Sequence, residues 1–318
     1  MSFSAKTKEA MARYQSEKRC CQKAELAGIV RMNGTIKISV KERLGLEVTT
    51  ENAAVARKVV RLAKENYPVE TEIFVEKKRQ LRKNNRYSVH ITGTEGVKKL
   101  LLDAGIIDAD MGINSSVGEK INAKRCCTRS FLRGVFLGSG SINEPDNAYH
   151  LEINVTSEEF AISLIEMMEG MELSPRYSVR KNRFIVYLKE SEQISTFLNL
   201  IGAHNSLLEL ENIRIQKGLR NQVNRLVNCE TANLSKTVDA AFRQRESIEY
   251  LARTIGLDKL PDGLREVALL RLSNPEMSLK ELGESLQPPL GKSGINHRMR
   301  KIEELAEKMQ NDKKTLQK

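Results

Sequence analysis

The sequence predicts an α+β domain made of two repeats, followed by a smaller all-α domain. Two observations predict it. Residues 19–36 (RCCQKAELAGIVRMNGTI) and 125–142 (RCCTRSFLRGVFLGSGSI) match at a constant offset. The match pairs Arg19 with Arg125, Cys20 and Cys21 with Cys126 and Cys127, Gly28 with Gly134, Gly34 with Gly140, and Ile36 with Ile142. After residue 213, mixed strand and helix patterns give way to helical periodicity alone. A chain of 318 residues suits two such units.

Each repeat reads as helix, strands, helix, strands, helix. The motif helix comes first. Leu46-Glu47-Val48-Thr49 and Ile153-Asn154-Val155-Thr156 are corresponding strands. Helical patterns follow, through Val55, Val59 and Leu62 in one copy and Ile162, Ile165 and Met168 in the other. Next come β-like runs, Glu72 to Val75 and Tyr87 to Ile91, then Arg176 to Val179 and Phe184 to Leu188. Each copy closes with an apolar helix and a glycine, Gly105 or Gly202. One half has too little core to stand alone, so two halves about a pseudo-dyad form one domain, residues 1–213. The repeats within it are about 19–106 and 125–203.

Residues 214–232 read as a basic linker, with Arg214, Lys217, Arg220 and Arg225 and no acid before residue 229. Residues 233–318 form the second domain. A helix from Asn233 to Ile255 ends at Gly256, and Asp262 caps a helix from Gly263 to Leu272. Ser278-Leu279-Lys280-Glu281 is a capping-box pattern opening the short helix Leu279 to Leu286. Gln287-Pro288-Pro289-Leu290-Gly291 breaks it. A last helix begins at Lys292 with an apolar face of Ile295, Met299, Ile302, Leu305, Ala306 and Met309. Short capped helix, turn and basic second helix make a helix-turn-helix.

Charge points to the partner. The formal net charge is +11, which favours a polyanion and first of all nucleic acid. Aromatics are 5% of the chain with no Trp, which disfavours base-stacking platforms for single strands and leaves double-stranded DNA. No apolar run matches a membrane span and the N-terminus is charged throughout, so the expected location is cytoplasmic and nucleoid-associated. Five cysteines then read as reduced thiols. The adjacent pairs lack C-x₂₋₄-C spacing, so they read as small buriable residues, with no metal assigned.

The last helix divides its charge. Lys292 to Lys301 holds four bases and no acid, and Glu303, Glu304 and Glu307 follow with no base among them. The expected DNA contacts are Ser278, Lys292, Ser293, Asn296, His297, Arg298, Arg300 and Lys301. Accessory phosphate contacts are expected from Lys77, Lys78, Arg79, Arg82, Lys83 and Arg86, between two strands.

The segment Leu26 to Gly34 resembles the LAGLIDADG motif of homing endonucleases, and Leu132 to Gly140 matches the same template less well. The resemblance implies two helices packed face to face, glycines admitting close approach, and Leu26, Ile29, Leu132 and Val135 filling the seam. The strands would form a saddle for duplex DNA. In such nucleases the last acid of each motif holds a divalent metal. Here those positions are Asn33 and Ser139, which implies the fold without catalytic residues or cofactor.

A competing match, Ala104 to Asp110, keeps its acids. It falls at the end of the first repeat, before a polar stretch to Ala123 that reads as a linker between halves. The alternative it offers is a metal-dependent nuclease using Asp108 or Asp110. A further alternative is a protein-interaction scaffold in division control.

With this helix-turn-helix added, the chain resembles the WhiA family of sporulation regulators. FLRGVFLGSGSINEPDNAYHLEI and KSGINHRMRKIEELAEK carry the resemblance. It implies a C-terminal domain similar to sigma-factor region four that directs promoter binding. It also implies links to cell division and chromosome segregation, with other transcription or division proteins as partners.

Overall fold

The computed structural model describes residues 1–38, 44–77, 85–114, 116, 117, 121, 123–181 and 183–316. The chain forms two compact units, Met1–Gly218 and Leu219–Lys318.

In the first unit, each half carries one four-stranded antiparallel sheet. The first contains β1 (Gly34–Ile38), β2 (Leu44–Thr50), β3 (Glu70–Glu76) and β4 (Arg86–Thr92), in the order β1-β2-β4-β3. The second contains β5 (Gly140–Ile142), β6 (Leu151–Val155), β7 (Arg176–Arg180) and β8 (Arg183–Leu188), in the order β5-β6-β8-β7. The shared strand order carries the sequence repeat into topology. Period-two burial sets the inner face, with Leu44, Leu46 and Val48 buried on β2 and Leu151, Ile153 and Val155 on β6. Register follows, Val48 opposite Val89 on β4 and Ile153 opposite Val186 on β8.

Helices α1 (Phe3–Arg13), α2 (Arg19–Asn33), α3 (Ala53–Asn66) and α4 (Thr94–Asp103) belong to the first half. Helices α5 (Arg125–Ser139), α6 (Glu158–Glu169) and α7 (Ser191–Ile201) belong to the second. The motif helices α2 and α5 meet at the centre. A Cβ added to Gly28 would strike the Phe131 carbonyl oxygen, and one on Gly134 would strike the Glu25 carbonyl oxygen. Glycine is required here for backbone approach, since no side chain fits between the helices. Leu26, Ile29, Leu132 and Val135 are all buried around that contact.

A buried charge cluster locks the seam. The Glu25 carboxylate lies 2.5 Å from Lys58 Nζ and 3.4 Å from Arg133 Nη1. Lys58 donates to the Met11 and Tyr14 carbonyls, and Arg133 Nε donates to the Ile201 carbonyl. The Arg133 guanidinium also lies over the Tyr14 ring. One carboxylate thereby ties α1, α2, α3, α5 and the end of α7. Glu25 is the carboxylate shared by two buried cations, so removing it leaves both uncompensated.

Two expectations need correction, and the N-terminus, on whose fold the sequence raised no expectation, forms a helix. The charged N-terminus folds as α1, capped by Ser2 and buried through Phe3, Thr7 and Met11, an i, i+4, i+8 stripe. Residues 214–232, expected as a linker, are helical throughout, inside α8 (His204–Thr254), so no helix starts at Asn233. Composition suggested a linker, but the run contains no proline and its single glycine, Gly218, is tolerated in a helix. Arg214 pairs with Glu192 at 2.7 Å and Lys217 donates to the Pro145 carbonyl, so its start packs on the first unit. Pro261, not Asp262, occupies the cap position of α9 (Asp262–Ser273), and Asp262 sits in the first turn facing Arg265.

The second unit also holds α10 (Leu279–Glu284) and α11 (Lys292–Leu316). Its core is Ile248 and Leu251 of α8, Leu264, Val267 and Ala268 of α9, Leu282, and Ile295, Met299, Ile302 and Ala306 of α11.

Gly28→Ala and Gly134→Ala should each destabilise the chain by ~1–3 kcal/mol through overpacking. Gly218→Ala, with nothing within 4 Å of the added Cβ, should stabilise it by up to ~1 kcal/mol. Urea denaturation of the three variants checks this; equal midpoints would remove the close-contact account.

Candidate nucleic-acid interface

The helix-turn-helix is built by caps and one tight crossing. Ser278 Oγ accepts from the Glu281 N–H, and the Glu281 carboxylate accepts from the Ser278 N–H at 2.7 Å, closing the capping box. Those bonds hold the Glu281 carboxyl below its ordinary range. Arg271 is buried and donates Nη1 to the Met277 carbonyl at 2.6 Å, fixing the entry to α10. At Gly283 a Cβ would strike the Leu290 carbonyl oxygen, so the turn folds directly onto α10. Leu290 N–H donates to the Gly283 carbonyl at 2.9 Å.

This frame presents α11. Ile295, Met299 and Ile302 turn into the core, while Lys292, Ser293, Asn296, His297, Arg300 and Lys301 are exposed. Leu305, expected on the buried face, is 37% exposed. Arg298 also departs from expectation. It is half-buried and donates Nη1 to the Gly263 carbonyl at 3.1 Å, so it braces α11 on α9 instead of standing free. The Ser278 hydroxyl is likewise engaged in its cap. Exposed basic side chains remain at the start of the helix, where the helix dipole adds positive potential.

In the first unit, Asn33 and Ser139 end α2 and α5 side by side. Asn33 Nδ2 donates to the Thr49 carbonyl at 2.7 Å. A Cβ on Gly138 would come within 2.7 Å of Asn33 Oδ1. Among the described residues, the buried Asn33 Oδ1 and Ser139 Oγ have no hydrogen-bond partner. An open cleft of about 610 Å³ lies there, lined by Lys8, Asn33, Thr49, Glu51, Arg86 and Ser139 among others. Burial pulls the Lys8 ammonium down to about 8, against the attraction of Glu51. The neutral motif ends thus share their cleft with a lysine that the sequence reading did not single out.

Asp108 and Asp110 lie elsewhere. The Asp108 carboxylate accepts from the Asp110 and Gly112 N–H groups and holds a turn, while Asp110 is exposed. Of the accessory cluster, Lys77 and Arg86 are exposed at the ends of β3 and β4. Lys78, Arg79, Arg82 and Lys83 lie outside the described residues. Among the described residues no helix is long and apolar enough to cross a membrane.

Three family models match in succession. The WhiA N-terminal LAGLIDADG-like domain matches residues 19–107, the WhiA LAGLIDADG-like domain 128–220, and the WhiA C-terminal HTH domain 223–306. The chain belongs to the WhiA family. It is 52% identical to a probable cell division protein WhiA of Heliobacterium modesticaldum, over 96% of both chains. A relative of the same description from Desulforamulus reducens is 50% identical over 98% of both. The crystal structure of full-length WhiA from Thermatoga maritima matches at 30% identity and a TM-score of 0.60, covering 97% of this chain and 99% of that one. The α+β, two-repeat LAGLIDADG-like unit with a C-terminal helix-turn-helix is therefore the WhiA architecture.

Sequence reasoning missed Lys8, the Glu25–Lys58–Arg133 cluster, Arg271 and the spatial meeting of the cysteine pairs. Only Lys8 and the cysteines left a local signal. Lys8 sits next to the Phe3-Thr7-Met11 stripe, and Cys21 precedes Gly28 by two helical turns, on the same helix face.

Lys8 yields a pH test. Its folded value of about 8 lies below the ordinary 10.5, so between those values the unfolded chain binds more protons and stability rises with pH. Lys8→Met should therefore be more stable than wild type at neutral pH, and the gap should narrow from about pH 8 towards 10.5. Denaturation midpoints of both proteins at several pH values decide it. A gap that stays constant across that window contradicts a desolvated ammonium.

Proposed function

We propose that this chain is a sequence-specific regulator of transcription that binds duplex DNA and acts in cell division and chromosome segregation on the nucleoid. The exposed, acid-free start of α11 on a capped helix-turn-helix carries the reading. Lys292 and Ser293 suit phosphate contacts at a helix N-terminus. Asn296, His297, Arg300 and Lys301 are the side chains available to base edges or backbone in the major groove. Arg298 supports the reader by holding its helix to α9. The relatives' name as cell division proteins supports the process, and a regulator of this kind would work with other transcription or division proteins.

The first unit, in this reading, is not an enzyme. Two neutral oxygens replace the paired carboxylates that would fix a divalent metal and stabilise attacking and leaving oxygens. Its sheets supply an accessory surface, with Lys77 and Arg86 at the β3–β4 ends for phosphate contact.

Arg300→Ala should cost about 1–3 kcal/mol of specific binding, and Lys292→Ala should lower affinity evenly and reduce the salt slope by about one. Arg298→Ala should instead lower the unfolding midpoint of the helix-turn-helix. Salt-titrated binding to operator and random duplex, with bound sites first mapped across the genome, separates these effects. Full retention of discrimination in Arg300→Ala, Asn296→Ala and Lys301→Ala together would exclude α11 as the reader. Supercoiled and linear duplex should also stay uncut in Mg²⁺ or Mn²⁺, with Asp110→Asn without effect. Nicking that Asp110→Asn abolishes would make the protein a nuclease.

A further inference from the structure

Cys20 and Cys21 open α2, and Cys126 and Cys127 open α5. All four Sγ atoms lie within 4.8 Å of one another. The cause is the seam itself. Cys21 lies two turns before Gly28 and Cys127 two turns before Gly134, so helices touching at the glycines also bring their first turns together. Neither pair has a metal spacing by itself, so in the sequence each reads as packing residues. Packing accounts for Cys21 and Cys127, which are buried. It does not account for Cys20, which is exposed, or Cys126, which is half-buried, joining the same group.

We propose that these four cysteines bind a single thiophilic divalent cation of the zinc class across the two repeats. The geometry suits one ion. Four sulfurs at 2.3 Å from a tetrahedral zinc stand ~3.8 Å apart, so closure from 4.8 Å asks about 1 Å of any pair. An iron–sulfur cluster would spread its thiolates over separate irons, farther apart. Soft thiolates select zinc over magnesium or calcium.

Binding releases the thiol protons to solvent and moves no electrons. Four thiolates around a divalent ion leave two negative charges. Two helix N-termini, of about half a positive charge each, point at them. Lys18, Arg19, Lys124 and Arg125 flank the cysteines in sequence. An open cleft of about 440 Å³, lined by Lys18, Cys21, Cys126 and Arg129 among others, gives the ion a way in. The ion would hold the first turns of α2 and α5 as the glycines hold their middles.

The test uses the full chain, reduced and stripped of metal under anaerobic conditions. Titration with Co²⁺ should give a thiolate-to-cobalt charge-transfer band and strong visible bands of a tetrahedral site, saturating at one equivalent. Zn²⁺ should displace it one for one. Loading should protect four of the five thiols from a disulfide reagent and leave exposed Cys229 reactive. Losing an outer-shell partner already weakens metal sites ~10–100-fold, so Cys20→Ser, at an exposed position, should cost at least as much. Cys229→Ser should change nothing in the spectrum. Five reactive thiols with no charge-transfer band would overturn the proposal. So would Co²⁺ affinity and band intensity left unchanged by Cys20→Ser, or an inter-helix disulfide that persists in place of metal uptake.

Discussion

Everything in the first unit is arranged around two backbones in contact. Where Gly28 meets the Phe131 carbonyl and Gly134 meets the Glu25 carbonyl, the motif helices are closer than any side chain permits. That contact sets the pseudo-dyad, and the dyad sets the rest. It places the two sheets as equivalents and sets Asn33 beside Ser139 at one end. At the other end it gathers four cysteine sulfurs. Helix α1 then covers the seam, with Met11 and Tyr14 supplying carbonyls to Lys58.

The second unit solves a different problem with few residues. A small bundle must present one helix rigidly while exposing its polar face. Apolar contacts from Ile295, Met299 and Ile302 hold the inner side of α11. Arg271 and Arg298 spend charged donors on backbone carbonyls, which stiffens the approach of α9 to its neighbours. On its outer side α11 exposes the short basic stretch before the acidic turn of Glu303, Glu304 and Glu307.

Legibility in the sequence followed the range of the interaction. The repeat gave both halves their order of elements, since glycines, cysteines and alternating strands are local signals. The capping box and the break at Pro288 and Pro289 gave the helix-turn-helix. Contacts between distant positions left no such trace. Nothing near Arg298 reveals Gly263 as its acceptor, and nothing near Glu25 reveals Lys58. The basic run 214–232 was legible as charge but not as helix, because composition and periodicity disagreed there. The cysteine pairs read as inert because neither has a metal spacing of its own; their place two turns before each glycine gains its meaning only when the dyad sets one pair against the other.

The charge cluster also records how far the two repeats have drifted from interchangeability. Glu25 corresponds to Phe131 in the repeat, and Arg133 to Ala27. Two first repeats meeting at this seam would bury a pair of carboxylates, each keeping its own Lys58 but facing an alanine in place of the guanidinium. Two second repeats would set arginine against phenylalanine with no acid in reach. The second pairing leaves a buried guanidinium uncompensated, a cost of several kcal/mol. The seam thus tells its two sides apart, one half supplying the carboxylate and the other the guanidinium that meets it, both carried on the same chain.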